Sequence, residues 1–240
     1  MPYQSLDPVK LTNTVAKLQR RIDERFPGTG LAAVCSELLG LAEKARDTTD
    51  HLTRPMIALR LVSAALILLI VAGLAVTIVG LSTPGDGFTF PDFVQTLEAG
   101  INDLVLIGVG VFFLVSIERR LKRRRTLALV SELRSIAHII DMHQLTKDPQ
   151  HVLGAIADTP NSPRRTFDRH ALSRYLDYCS EMLSLTGKIA ALYVQRFDDT
   201  VVLAAVNEVE TLATGLSGKI WQKLMILDGP RYPGVEHSGE

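Results

Sequence analysis

The chain is short of the residues that cross-link, coordinate and react. It has two cysteines, one tryptophan and 6% aromatic residues, and its 26 basic and 26 acidic side chains cancel. Cys35 and Cys179 are too far apart for a CxxC motif or a zinc spacing. Each sits among apolar residues at helical spacing (Val34 and Leu38; Tyr175 and Met182), so both are expected to be buried, reduced thiols. No HExxH, P-loop or dinucleotide-binding glycine pattern occurs. Ser180 and Ser184 follow His170 and Tyr178 without the elbow that acyl transfer needs. His138 and His143, beside Asp141, are five residues apart, ~500° of helix, so they point ~140° away from each other. His143 with His151 is the remaining pair, and solvent-facing or satisfied histidines are the expectation. Catalytic, cofactor-binding and metal-ligating residues are therefore all assigned as none, and a non-enzymatic protein is expected. Strand alternation and 20–50-residue repeats are absent as well.

What is present is two uncharged runs, Leu61 to Ser82 and Leu104 to Ile117. A run of ~22 residues at ~1.5 Å rise covers ~33 Å, enough for a hydrocarbon core of ~30 Å, whereas the second covers only ~21 Å. The segment between them holds Asp86, Asp92, Glu98 and Asp103 and no Lys or Arg. Arg54 and Arg60 precede the first run, and Arg119, Arg120, Lys122, Arg123, Arg124 and Arg125 follow the second. Cationic flanks stay inside, so both termini are expected in the cytoplasm and the connector outside. The first run starts too deep in the chain for a signal peptide, whose place is within ~15–30 residues of the start. Lipidation patterns are absent. A compact chain without targeting motifs gives the bacterial inner membrane as the expected location.

The expected architecture is an all-α membrane protein with two transmembrane helices and a cytoplasmic helical bundle. Residues 1–55 form an N-terminal helical hairpin: Asp7-Pro8 starts one helix, Pro27-Gly28 ends it, and Thr29 or Gly30 starts the next. Transmembrane helix 1 covers 56–82, an external connector 83–98 with turn residues from Ser82 to Gly87, and transmembrane helix 2 covers 99–118. The second helix should start near Pro91 and continue without a stop as a cytoplasmic stalk over 119–148. Its apolar stripe is Leu129, Leu133, Ile136, Ile140 and His143. A linker over 149–165, with one short turn around Val152 to Ala157, precedes a second helical hairpin over 166–227. Thr166 is the expected cap of its first helix, Asp198 or Asp199 of its second, and Thr186-Gly187 is a candidate break. On the second helix the expected buried face is Val202, Ala205, Val206, Val209, Leu212, Leu216, Ile220 and Leu224. The tail, 228–240, is read as disordered.

Three groups of residues are candidates for function. Glu98 and Asp103 sit at the outer boundary of the second span, where they act as interface groups or as an acidic pore mouth. Arg119, Arg120, Lys122, Arg123, Arg124 and Arg125 form a basic collar suited to anionic inner-leaflet lipid, each group worth ~1 kcal/mol near the surface. A collar held against the bilayer by its own helix, with no interleaved aromatics, excludes nucleic acid as its partner. Trp221 is a candidate partner anchor. The expected function is a cytoplasmic helical interaction module on a two-span anchor, an oligomeric scaffold or signalling component. The expected partners are the lipid bilayer, further copies of the chain and a cytoplasmic protein. The alternative is an oligomeric, weakly cation-selective pore, because no TVGYG-type filter is present.

Overall fold

A computed structural model describes residues 5–53, 57–81, 89–153, 160 and 167–229. Its elements are seven α-helices: α1 (Pro8–Arg25), α2 (Gly30–Thr53), α3 (Ile57–Leu81), α4 (Phe90–Leu145), α5 (Pro149–Val152), α6 (Arg169–Arg196) and α7 (Thr200–Asp228). Two compact units result. One combines Met1–His51 with Thr126–Glu240, and the other is Leu52–Arg125. Helix α4 is continuous across the boundary at Arg125, so it supplies residues to both.

Local chemistry sets the helix ends. Asp7 accepts bonds from the amides of Val9 and Lys10 at 2.9 and 3.2 Å, with Pro8 as the first helical residue. Gly28 adopts φ +68 in the turn after α1, a conformation that disfavours side chains. The Thr29 hydroxyl then accepts from the Ala32 amide at 3.4 Å and starts α2. Asp199, not Asp198, caps α7. The expected Thr166 cap is replaced by Asp168, which accepts from the Ala171 amide at 2.7 Å, the N-cap to N3 bond. Of the expected turn from Val152 to Ala157, Val152 ends the short helix α5, which Asp148 caps with Pro149 in the first position, and residues 154–157 lie outside the described ones. The turn chemistry of Ser82 to Gly87, Thr166 and the tail from residue 230 lie outside the described residues.

Tertiary bonds give the topology of the larger unit. Thr12 in α1 donates to the Ala42 carbonyl at 3.4 Å, so α1 and α2 run antiparallel. Lys44 pairs with Glu132 at 3.2 Å while Gly30 abuts His143, which makes α2 antiparallel to α4. Arg134 pairs with Glu208, and Lys223 reaches Gln144 and Lys147, so α4 and α7 run parallel. Gly187 lies against Glu210, which sets α6 antiparallel to α7. Arg21 binds Glu181 through both guanidinium nitrogens at 2.9 and 3.1 Å, closing α6 onto α1. These ion pairs are about half exposed, so each contributes only about 0–1 kcal/mol. They record neighbours and do not hold the bundle.

The core does. Helix α1 buries one stripe, Leu11, Val15, Leu18 and Ile22. Helix α6 is different, because it buries adjacent pairs along its length: Tyr175-Leu176, Tyr178-Cys179, Met182-Leu183, Ile189-Ala190 and Leu192-Tyr193. It is the central helix. Thr186 and Gly187 do not break it; the Thr186 hydroxyl donates to the Met182 carbonyl at 2.8 Å, which satisfies it inside the core. On α4 the buried stripe is Thr126, Val130, Leu133, Ile136, Ala137, Ile140 and Gln144. The expected stripe with Leu129 and His143 is rotated slightly, and those two residues are half-buried. The inner part of the expected stalk is thus a core element of the bundle. On α7 the buried face includes Ala213, while the expected Leu212 and Ala205 are half-buried.

The smaller unit has the opposite character. Leu68, Leu69, Phe112 and Val109 are exposed, the first three by 72, 68 and 72%. Among the described residues one helix, within Gly100–Val152, is long and apolar enough to cross a membrane, and none of its most apolar stretch is buried in protein. Within α3 no charged side chain follows Arg60.

Candidate functional site

The bundle topology collects the end of α1, the start of α2, the ends of α4 and α7 and the start of α6 at one end. A polar and aromatic cluster lies there. Lys223 of α7 donates to the Gln144 carbonyl at 2.7 Å and the Lys147 carbonyl at 3.1 Å. Both carbonyls belong to the last turn of α4 or the residues just beyond it, where helical partners run out. A cation there is also favoured by the helix dipole. Burial lowers the Lys223 ammonium below its ordinary value, and Asp148 and Asp141 act against that.

Around this latch the side chains are ordered. Gln144 is only 1% exposed, and its Nε2 donates to Asp141 Oδ1 at 2.6 Å. Asp148 accepts from the Gln150 amide at 2.9 Å and so caps α5. The Lys147 ammonium sits 4.7 Å from the Phe167 ring centre and 5.5 Å from that of Tyr175, a cation–π arrangement. Phe26 completes the aromatic group, with edge contacts to Phe167, Tyr175 and Tyr178 at 5.4, 5.6 and 6.1 Å. The His143 imidazole packs on Gly30, where a Cβ would overlap it. That glycine is needed for the close approach.

Beside the cluster runs a groove of about 620 Å³, with Ile139, Met142, Phe167 and Tyr175 as apolar walls. Thr29, Thr146, His143 and Lys147 add the polar groups, and among the described residues no carboxylate lines it. Two other grooves are smaller. One of about 420 Å³ has Arg21, Arg25 and Arg174, but Arg21 already binds Glu181 and Arg174 lies 3.6 Å from Asp177. The other, about 410 Å³ between α6 and α7, is lined by small hydroxyl residues such as Ser180, Ser184 and Ser217.

Replacing Lys223 with Met should lower stability by about 1–2 kcal/mol, since charged hydrogen bonds to two carbonyls are lost at a half-buried site. Denaturant midpoints of the two proteins check it; a change within about 0.5 kcal/mol would mean that water takes over both bonds.

The residues singled out in the sequence are dispersed. Glu98 is an exposed residue of α4, and the side chain of Asp103 lies outside the described ones. In the basic collar, Arg119, Arg120, Arg124 and Arg125 are exposed. Arg123 is half-buried, and Lys122 departs furthest from a lipid-facing role, because it is mostly buried and pairs with Glu118 at 2.9 Å. At ~100° per residue the six bases point all round the helix, as an encircling band. Trp221 is 63% exposed, with Met225 and Ile226 exposed nearby on α7. Among the described residues no group of three or more His, Cys, Asp or Glu could hold a metal ion.

Lys223 and Phe167 escaped the sequence reading because nothing in their local pattern announces a partner; each acts on a residue distant in sequence. Gln144 carried a weak signal, a polar residue in register with an apolar stripe.

Both cysteines are fully buried, and burial pushes each thiol up to about 12. Neither should react with maleimide before unfolding. Because the folded values are raised, the stability they contribute is complete below about pH 8.5 and is lost as pH rises, by about 2 kcal/mol per thiol at pH 10. Lys223, lowered in the fold, works the other way up to about pH 10.4, but it is one group against two. Denaturation between pH 8 and 10 should show falling stability, flattened in the Cys35→Ala/Cys179→Ala double variant.

No protein-family model matches the chain, and neither the curated proteins nor the solved structures give a match.

Proposed function

We propose that the chain is a two-span integral membrane protein whose larger helical unit is a cytoplasmic interaction module, an oligomeric scaffold or signalling component. On this reading α3 and the apolar part of α4 are the spans, both termini are cytoplasmic, and the bacterial inner membrane is the location. The supporting observation is the contrast between the two units. One buries its leucines and isoleucines in an ordinary core, while the other exposes Leu68, Leu69, Val109 and Phe112. Exposed apolar side chains on long helices need a non-aqueous neighbour, and lipid is the one that fits an uncharged run as long as that of α3. The band of bases from Arg119 to Arg125 then lies at the inner headgroups, where anionic lipid attracts it. Trp221 is the proposed anchor for a second copy or a cytoplasmic protein.

The test is direct. The full chain, expressed in a bacterial host, should stay in membranes washed with alkaline carbonate. A C-terminal fluorescent-protein fusion should fluoresce, while a C-terminal alkaline-phosphatase fusion stays inactive. Cross-linking in native membranes should capture a defined oligomer or one partner. Extraction by carbonate removes the membrane reading, and a strictly monomeric, partner-free protein removes the scaffold reading.

A further inference from the structure

We infer that the groove between α2, α4 and α6 is a binding site for a small amphipathic anion, a carboxylate or similar acid on an apolar body. The inference goes beyond the scaffold reading and does not rest on it. Ligand pockets of about 300–1,000 Å³ are typically apolar with a few placed polar groups, and the groove is about 620 Å³. Its walls supply the part-exposed Phe167 ring, backed by the buried Tyr175, and two aliphatic side chains, Ile139 and Met142. That suits a planar or branched apolar body. Met142 is 66% exposed, so the mouth is open to solvent.

Charge decides the head group. Among the described residues the charged side chain lining the groove is Lys147, and the two carboxylates of the neighbouring cluster, Asp141 and Asp148, do not line it. Asp141 is held by Gln144, and Asp148 caps α5. Lys147 is also positioned in advance. Its ammonium rests over two rings, and its own carbonyl is tied to Lys223. A cation offered to an apolar groove is complementary to an acid, and a ligand that is itself cationic would meet it with like charge. The Thr29 and Thr146 hydroxyls are further hydrogen-bonding groups at the same site.

The probe is 2-naphthoate, with 2-naphthamide as its neutral isostere, titrated into the full chain in zwitterionic nanodiscs and followed by saturation-transfer NMR. Empty nanodiscs give the background. Saturable naphthoate binding is expected, with the amide weaker by at least about tenfold, the ratio that about 1.4 kcal/mol gives. Lys147→Met should weaken naphthoate by a similar factor and bring it level with the amide. Met142→Trp, which fills the groove and keeps the charge, should abolish binding of both, and it covers the case in which Lys147→Met fails to fold. Binding that does not saturate, equal affinity for amide and acid, or binding that survives both substitutions overturns the proposal. So does loss of self-association in Met142→Trp with naphthoate binding intact, because the groove would then belong to a second copy of the chain.

Discussion

Val109→Arg is expected, on the proposed membrane reading, to leave α4 outside the bilayer in a large share of molecules and so to carry the C-terminus to the opposite side. Val109 is an exposed residue in the middle of the shorter apolar run. That run, Leu104 to Ile117, holds eleven Leu, Ile, Val or Phe residues. At about 0.3–0.6 kcal/mol each they supply about 3–7 kcal/mol, and one central arginine removes about 2.5–3.5. The same change at Leu69 in α3 should be better tolerated, because that helix has fifteen such residues worth about 5–9 kcal/mol. The readout is the paired C-terminal fusions: fluorescence falls and phosphatase activity appears in Val109→Arg, with a weaker effect in Leu69→Arg. An exposed apolar-to-charged change in water alters stability by only about 0.5 kcal/mol either way. Two variants indistinguishable from wild type would therefore remove the membrane reading.

Leu176→Ala should destabilise the larger helical unit by about 2–5 kcal/mol, the range for a buried leucine whose cavity cannot collapse. Leu176 is fully buried on the central helix α6, with neighbours on more than one side. Thermal or denaturant unfolding of the full chain in detergent measures it. Trp221→Ala is the counterpart on the surface and should change stability by no more than about 0.5 kcal/mol. A loss of oligomer or partner in Trp221→Ala, with stability unchanged, assigns the tryptophan to an interface. A loss of stability there comparable to Leu176→Ala would instead place it in folding.

Several elements were legible in the sequence because their causes are local. Asp7-Pro8 starts α1, Pro27-Gly28 ends it, and one of Asp198 and Asp199 starts α7, which the structure settles as Asp199, since a cap needs only the next three amides. The continuity of α4 past Ile117 was legible from the lack of any Gly or Pro up to Leu145. The candidate site was much less so. Of its groups, His143 and Asp141 drew notice beside a metal question and Thr29, Gly30, Tyr175 and Tyr178 only as parts of helices; His143 packs on Gly30.

The sequence by itself determined the helical class, most helix ends and the contrast between charged, amphipathic segments and two uncharged runs. Those depend on residue type and on a period of 3.6, which any short window contains. Tertiary structure decided which helix is central, because α6 needs neighbours on several sides to bury Tyr178, Leu185 and Leu192 together with Leu176, Cys179 and Met182. It also decided that α4 is core from Thr126 inward and that Lys223 closes its end. Such facts rest on pairs distant in the chain, and no local pattern encodes which distant residue will meet which.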